Sequence, residues 1–97
     1  MKTDEQLYFA LGLAQKAGKL ASGDLSLTEA LKEGRGKYVV IAGDVSSRTE
    51  EKITALCQAQ QVPFTKRLDM ASLGRAIGRA PRAAVVILDE NFMKLMV

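Results

Sequence analysis

Three short runs rich in apolar and β-branched residues, 38–42, 62–66 and 83–88, alternate with stretches long enough for helices. This alternation constrains the fold more than any other feature of the chain. Glycine, proline or charge bounds each run. The second contains Pro63, which has no N–H to give to a ladder, so it is expected at a sheet edge or in shortened form. The order helix, helix, strand, helix, strand, helix, strand, helix predicts a three-layer α/β/α sandwich with a largely parallel sheet. With 97 residues, one domain with one modest core accounts for the whole chain, and a monomer is expected. The longest apolar run, Ala83 to Leu88, is six residues, against about 20 needed to cross a bilayer, so no membrane partner is expected. Met1 to Glu5 is too acidic for a signal peptide, and a cytoplasmic location is expected.

The helical stretches carry their own punctuation. Thr3 is placed to cap a first helix over about 4–17, with Leu7, Leu11 and Ala14 on its core stripe and Gly18 as its stop. The third helix, about 46–60, starts at a Ser-Ser pair and turns Ile53, Leu56 and Cys57 inward, with Asp44 and Ser46 or Ser47 at its start. Asp69 begins a short helix with Leu73 and Ile77, closed by Gly78 before Pro81. A last helix from Glu90 has barely two turns, so Phe92, Met93 and Met96 must be held by packing. Tyr8, Phe9, Tyr38, Phe64 and Phe92 all stand at helix or strand positions where core packing is expected, which leaves little aromatic surface for base stacking.

Chemistry is narrowed by what is missing. Histidine is absent and the one cysteine, Cys57, has no partner for a disulfide or a zinc site, so neither a metal nor a cofactor is expected. No lysine-containing glycine loop or GxGxxG occurs, and an enzyme would have to use a carboxylate such as Asp44 as its base. The charge is unevenly placed. Residues 1–65 hold eight basic and eight acidic side chains, while 66–97 carry the whole net charge of +3. Within 66–82, Lys66, Arg67, Arg75, Arg79 and Arg82 face only Asp69, and arginine is the side chain best shaped for bidentate phosphate contacts.

The second helix, expected from Ser22-Gly23-Asp24 to Glu33, has a narrow apolar face of Leu27, Ala30 and Leu31. On a wheel of about 100° per residue with Leu27 at zero, Leu25 falls near 160° and points away from the core. It lies in the first turn after a glycine, where unpaired N–H groups and the positive dipole end favour phosphate. Asp24 opposes an anion there unless it caps the helix or accepts from a base.

These residues also carry a resemblance. The blocks Leu11-Gly12-Leu13-Ala14-Gln15-Lys16-Ala17-Gly18-Lys19-Leu20, Ser22-Gly23, Ala30-Leu31-Lys32-Glu33-Gly34, Val39 to Val45 and Leu73-Gly74-Arg75-Ala76-Ile77-Gly78 resemble the ribosomal protein L7Ae/L30e family. In length and in the Gln-Lys-Ala-Gly-Lys block the chain is most similar to the short bacterial, YlxQ-like members. The resemblance implies a sandwich with a small mixed sheet and an added strand near 19–21. It also implies RNA, ribosomal or otherwise structured, as the partner, with a kink-turn as the bound form, and no catalysis.

Carried over by position, the contact helix starts at Gly23 and Asp24, and the family's asparagine, acidic residue and lysine fall on Leu25, Ser26 and Glu29, none matching in type. Lys32, almost one turn on, is placed to substitute for the lysine and to pair with Glu29. The second contact loop corresponds to Gly78-Arg79-Ala80-Pro81-Arg82, with Ala80 and Pro81 as apolar surface and the two arginines reaching phosphate. Arg35 and Lys37 are expected to extend the phosphate-facing rim. Loss of the contact lysine leaves a protein-binding adaptor of the same fold as the alternative.

Overall fold

The computed structural model describes residues 2–97. Nine elements follow in the order α1 (Asp4–Lys16), β1 (Leu20–Ser22), α2 (Asp24–Lys32), β2 (Tyr38–Ile41), α3 (Ser47–Ala59), β3 (Phe64–Lys66), α4 (Met70–Ala76), β4 (Ala84–Ile87) and α5 (Glu90–Lys94). Local chemistry explains their ends. Thr3 and Gln6 form a reciprocal capping box at α1, the Ser46 hydroxyl accepts from the Thr49 N–H at α3, and Asp69 accepts from the Ser72 N–H at α4. That bond, with a further one from the Ser72 side chain and the nearby Arg75 charge, holds the Asp69 carboxyl below its ordinary range.

The four strands lie in the order β1-β4-β2-β3. Alternate residues of the central strands face opposite layers, as strand geometry requires. Tyr38, Val40, Val85 and Ile87 pack with Leu7, Leu11 and Ala14 of α1, Leu73 of α4, and Met96. Val39, Ile41, Ala84 and Val86 pack with Leu27, Ala30 and Leu31 of α2 and Ile53 and Cys57 of α3. Both faces of β2 and β4 are therefore covered, which is why those runs read as continuously apolar. β3 is an edge strand. It begins after Pro63, whose carbonyl accepts from the Val39 N–H at 3.1 Å, so proline contributes only as an acceptor.

The expectation of a largely parallel sheet is corrected. Only β2 and β3 run parallel, while β4 is antiparallel to both β1 and β2, giving the mixed sheet that the resemblance implied. The reason lies in α4. This helix is only seven residues long, and the 78–82 loop turns back along it, with the Arg79 N–H donating to the Gly74 carbonyl at 2.8 Å and the Arg82 N–H to the Met70 carbonyl at 3.1 Å. The chain therefore enters β4 from the end of the sheet at which it left β3, and the strand must run the other way. Gly74 permits the turn, since a Cβ there would lie 2.4 Å from the Ala80 carbonyl oxygen and 2.8 Å from that of Arg79.

Packing of the aromatics also differs from expectation. Tyr38 is buried and Phe92 half-buried against the α1 layer, but Tyr8, Phe64 and above all Phe9, 69% exposed, are not core residues. On the α1 wheel Phe9 falls at about 200° from Leu7, opposite the core stripe. Cys57 is fully buried, and burial pushes its thiol up to about 11. The native protein should thus react negligibly with a disulfide reagent at pH 8 and promptly once unfolded. The unfolded chain gives up this proton near its ordinary value of 9.0, while the folded one holds it to about 11. Stability should accordingly fall with rising pH across that window, measured as a declining urea midpoint.

Candidate functional site

Gly23 caps α2 with φ 89° and ψ 150°, a conformation open essentially only to glycine, and supplies no side-chain cap. The first helical bond runs from the Leu27 N–H to the Gly23 carbonyl at 2.9 Å, so the N–H groups of Asp24, Leu25 and Ser26 have no partner within the helix. Asp24 is exposed and does not cap it. Leu25 is 71% exposed, as its wheel position predicted, and Ser26 and Glu29 are exposed beside it. Among the described residues Glu29 and Lys32 form no ion pair.

The 78–82 loop comes to this tip. Arg82 Nε donates to the Ser22 hydroxyl at 3.2 Å, and its Nη1 donates to the carbonyls of Ala80 and Pro81 at 3.2 and 3.4 Å. One guanidinium thereby holds the loop in shape and ties it to the residue preceding Gly23. Arg79, exposed like Gly78, Ala80 and Pro81, has no side-chain ion pair among the described residues. The junction forms a half-open cleft of about 300 Å³ lined by Gly23, Asp24, Thr28, Pro81 and Arg82, with Thr49, Lys52 and Leu56 along its α3 side. Lys52 is a cation at this site that the sequence reading missed. The spacing of Thr49, Lys52 and Leu56 by three and four residues puts them on one strip of helix, but that this strip faces the α2 tip is set by how α3 packs and not by the spacing.

Three proposed site residues lie elsewhere. Lys37 precedes β2, and its N–H donates to the Ile87 carbonyl at the far end of β4 from Arg82. α2 runs nine residues, about 14 Å, from Gly23 before Arg35 is reached. Arg35 pairs with Glu33 at 2.9 Å, and Lys32 sits in the last turn of α2. The expected rim through Arg35 and Lys37 is therefore not continuous with the tip, because a helix running back along the strands puts its two ends at opposite ends of the sheet. The basic stretch is also divided. Lys66 pairs with Glu50 at 2.7 Å, and Arg67 pairs with Asp4 and donates to the Lys2 carbonyl, so these two cations secure the edge strand and the start of α1. Asp44, the candidate base, accepts from the Met70 N–H at 2.9 Å and so serves α4 rather than the start of α3.

Residues 5–97 match the ribosomal protein L7Ae/L30e/S12e/Gadd45 family. The chain belongs to this family. It is 36% identical over 87 residues to the RNA-binding protein YlxQ of Bacillus subtilis, covering 90% of this chain and 87% of that one. A Bacillus halodurans protein of unknown function has the same fold, with a TM-score of 0.86, 30% identity and coverage of 96% of this chain and 94% of that one. The 15.5kD RNA binding protein of Giardia lamblia shares the fold at a TM-score of 0.78 and 17% identity, over 99% of this chain and 85% of that one. For this family member, the tip of α2 and the 78–82 loop form one surface at the end of the sheet where β1 ends and β4 begins. Among the described residues no helix is long and apolar enough to cross a membrane.

Proposed function

We propose that the protein binds structured RNA, of the ribosome or elsewhere in the cytoplasm, at the surface made by the start of α2 and the 78–82 loop. The observation that carries this reading is the Arg82–Ser22 hydrogen bond, which sets an arginine-flanked apolar turn beside three helix N–H groups that have no partner within the helix. Phosphate suits the N–H groups and Arg79, and the exposed Ala80, Pro81 and Leu25 offer apolar surface to bases that a regular duplex keeps stacked. A surface with both features favours RNA whose backbone is bent and whose bases are partly unstacked, as in a kink-turn. Lys52 adds positive charge to the cleft that Asp24 also lines. Family membership, with relatives described as RNA-binding, supports the same assignment.

Fluorescence anisotropy with a labelled kink-turn RNA and a straight duplex of equal length tests the reading. Tighter binding of the bent RNA, by about tenfold or 1.4 kcal/mol, is expected. Equal or undetectable binding of both would remove it. Glu29→Lys replaces an exposed carboxylate on the contact face by a cation and is expected to strengthen binding about threefold to tenfold at low salt. The slope of log affinity against log salt should steepen by about one unit per added phosphate contact.

A further inference from the structure

The outer face of α1 plays no part in the surface just described. It lies in the layer opposite α2 and α3, and it exposes Phe9 at 69% and Leu13 at 39%, with Leu95 at 47% beside them. The two α1 residues form a ridge with a depression on each side. One is a groove of about 440 Å³ bounded by Glu5, Phe9, Ala10, Leu13 and Leu95. Lys2 and Gln6 lie at its Glu5 end, where Lys2 offsets part of the Glu5 charge. The other, about 200 Å³, is floored by Gly12 and bounded by Tyr8, Lys16 and Ala76. Along the ridge the order is acid, Phe, Leu, base: Glu5, Phe9, Leu13 and Lys16 fall within about 80° of one another on the helix. Among the described residues neither Glu5 nor Lys16 has an ion-pair partner.

This pattern is complementary to itself when reversed. If a second α1 is laid antiparallel on the first about a two-fold axis near residues 10 and 11, Phe9 meets Leu13 of the other copy while Glu5 meets Lys16, twice over. Each ridge then faces a groove of its partner, and the helix dipoles oppose. We propose that this face is a self-association surface, its occupant a second copy of the chain, giving a weak dimer whose two α2 tips remain free. The proposal departs from the monomer expected from the sequence and is independent of whether the α2 tip binds RNA.

Sedimentation equilibrium of the full chain at low salt, over a range of concentrations, is the test. The wild type should rise from 10.5 kDa towards twice that mass as concentration increases. Phe9→Asp should stay monomeric. Glu5→Lys and Lys16→Glu should each associate at least about tenfold more weakly alone, since each puts like charges together at both ends of the pair. Mixed in equal amounts, the two charge variants should recover association, because at both ends of the mixed pair a lysine of the first variant then faces a glutamate of the second. All substituted side chains are exposed, and thermal melts matching wild type establish that the fold is intact. A wild type that remains at monomer mass up to about 1 mM overturns the proposal. So do charge variants that associate like wild type, or that fail to recover on mixing.

Discussion

Gly74→Ala is expected to destabilise the protein by about 2 kcal/mol and to release the 78–82 loop from its place beside Gly23. Two opposing effects decide the sign. Alanine is the better helix former, by about 1 kcal/mol, and in an unobstructed helix the substitution would stabilise. Here the new Cβ would lie 2.4 Å from the Ala80 carbonyl oxygen, 2.7 Å from its carbon and 2.8 Å from the Arg79 oxygen. All three are backbone atoms of the returning loop, so no side-chain rotation relieves the collision, and overpacking of this kind costs about 3 kcal/mol. The loop must lift away, breaking the bond from the Arg79 N–H to the Gly74 carbonyl and straining the one from Arg82 to Met70. A net loss of about 2 kcal/mol corresponds to roughly 8–16 °C in Tm for a domain of this size. The variant should also bind RNA more weakly than its residual folded fraction explains, because Arg79 and Pro81 are displaced. A melting temperature equal to or above wild type would show that the loop does not pack on α4 as described.

The second large effect concerns Arg79 and Arg82, which the structure gives different work. Joint replacement by alanine should weaken RNA binding by about ten- to a hundredfold at moderate salt. It should also flatten the log affinity versus log salt slope by about two units if both arginines meet phosphate. The single variants separate charge from position. Arg79 is exposed and has no side-chain ion pair among the described residues, so Arg79→Lys should keep most of the affinity. Arg82 spans the Ser22 hydroxyl and the Ala80 and Pro81 carbonyls with two nitrogens of one planar group, a span that a lysine ammonium cannot reproduce. Arg82→Lys should therefore approach Arg82→Ala in its loss of preference for bent over straight RNA. Binding by the double-alanine variant at wild-type strength, with an unchanged salt slope, would place the RNA somewhere other than this surface.

Much of this arrangement is written locally. The Thr3, Ser46 and Asp69 caps and the apolar stripes of α1, α2 and α3 are short-range patterns, and the structure reproduces them within a residue or two of their expected bounds, adding Gln6 as the second half of a capping box at Thr3. The outward turn of Leu25 is of the same kind, since helical periodicity alone fixes the side of α2 on which it lies. Phe9 was equally legible. Its wheel position opposes Leu7 and Leu11, and the expectation of core packing followed from residue type where spacing pointed the other way.

What the chain determined by itself was its five helices, three of its four strands, the apolar stripes of the longer helices and the glycine at the head of α2, because periodicity, caps and backbone conformation act over a few residues; the short β1 has no such pattern and was implied only by the family resemblance. Only the tertiary structure decided that β4 runs antiparallel, that Arg82 reaches Ser22 across 60 residues of sequence, and that Lys52 joins them while Arg35 and Lys37 do not. Those outcomes depend on where a short helix lets the chain turn back and on which end of each element meets which edge of the sheet. Such relations arise between segments distant in sequence, and no local pattern encodes them.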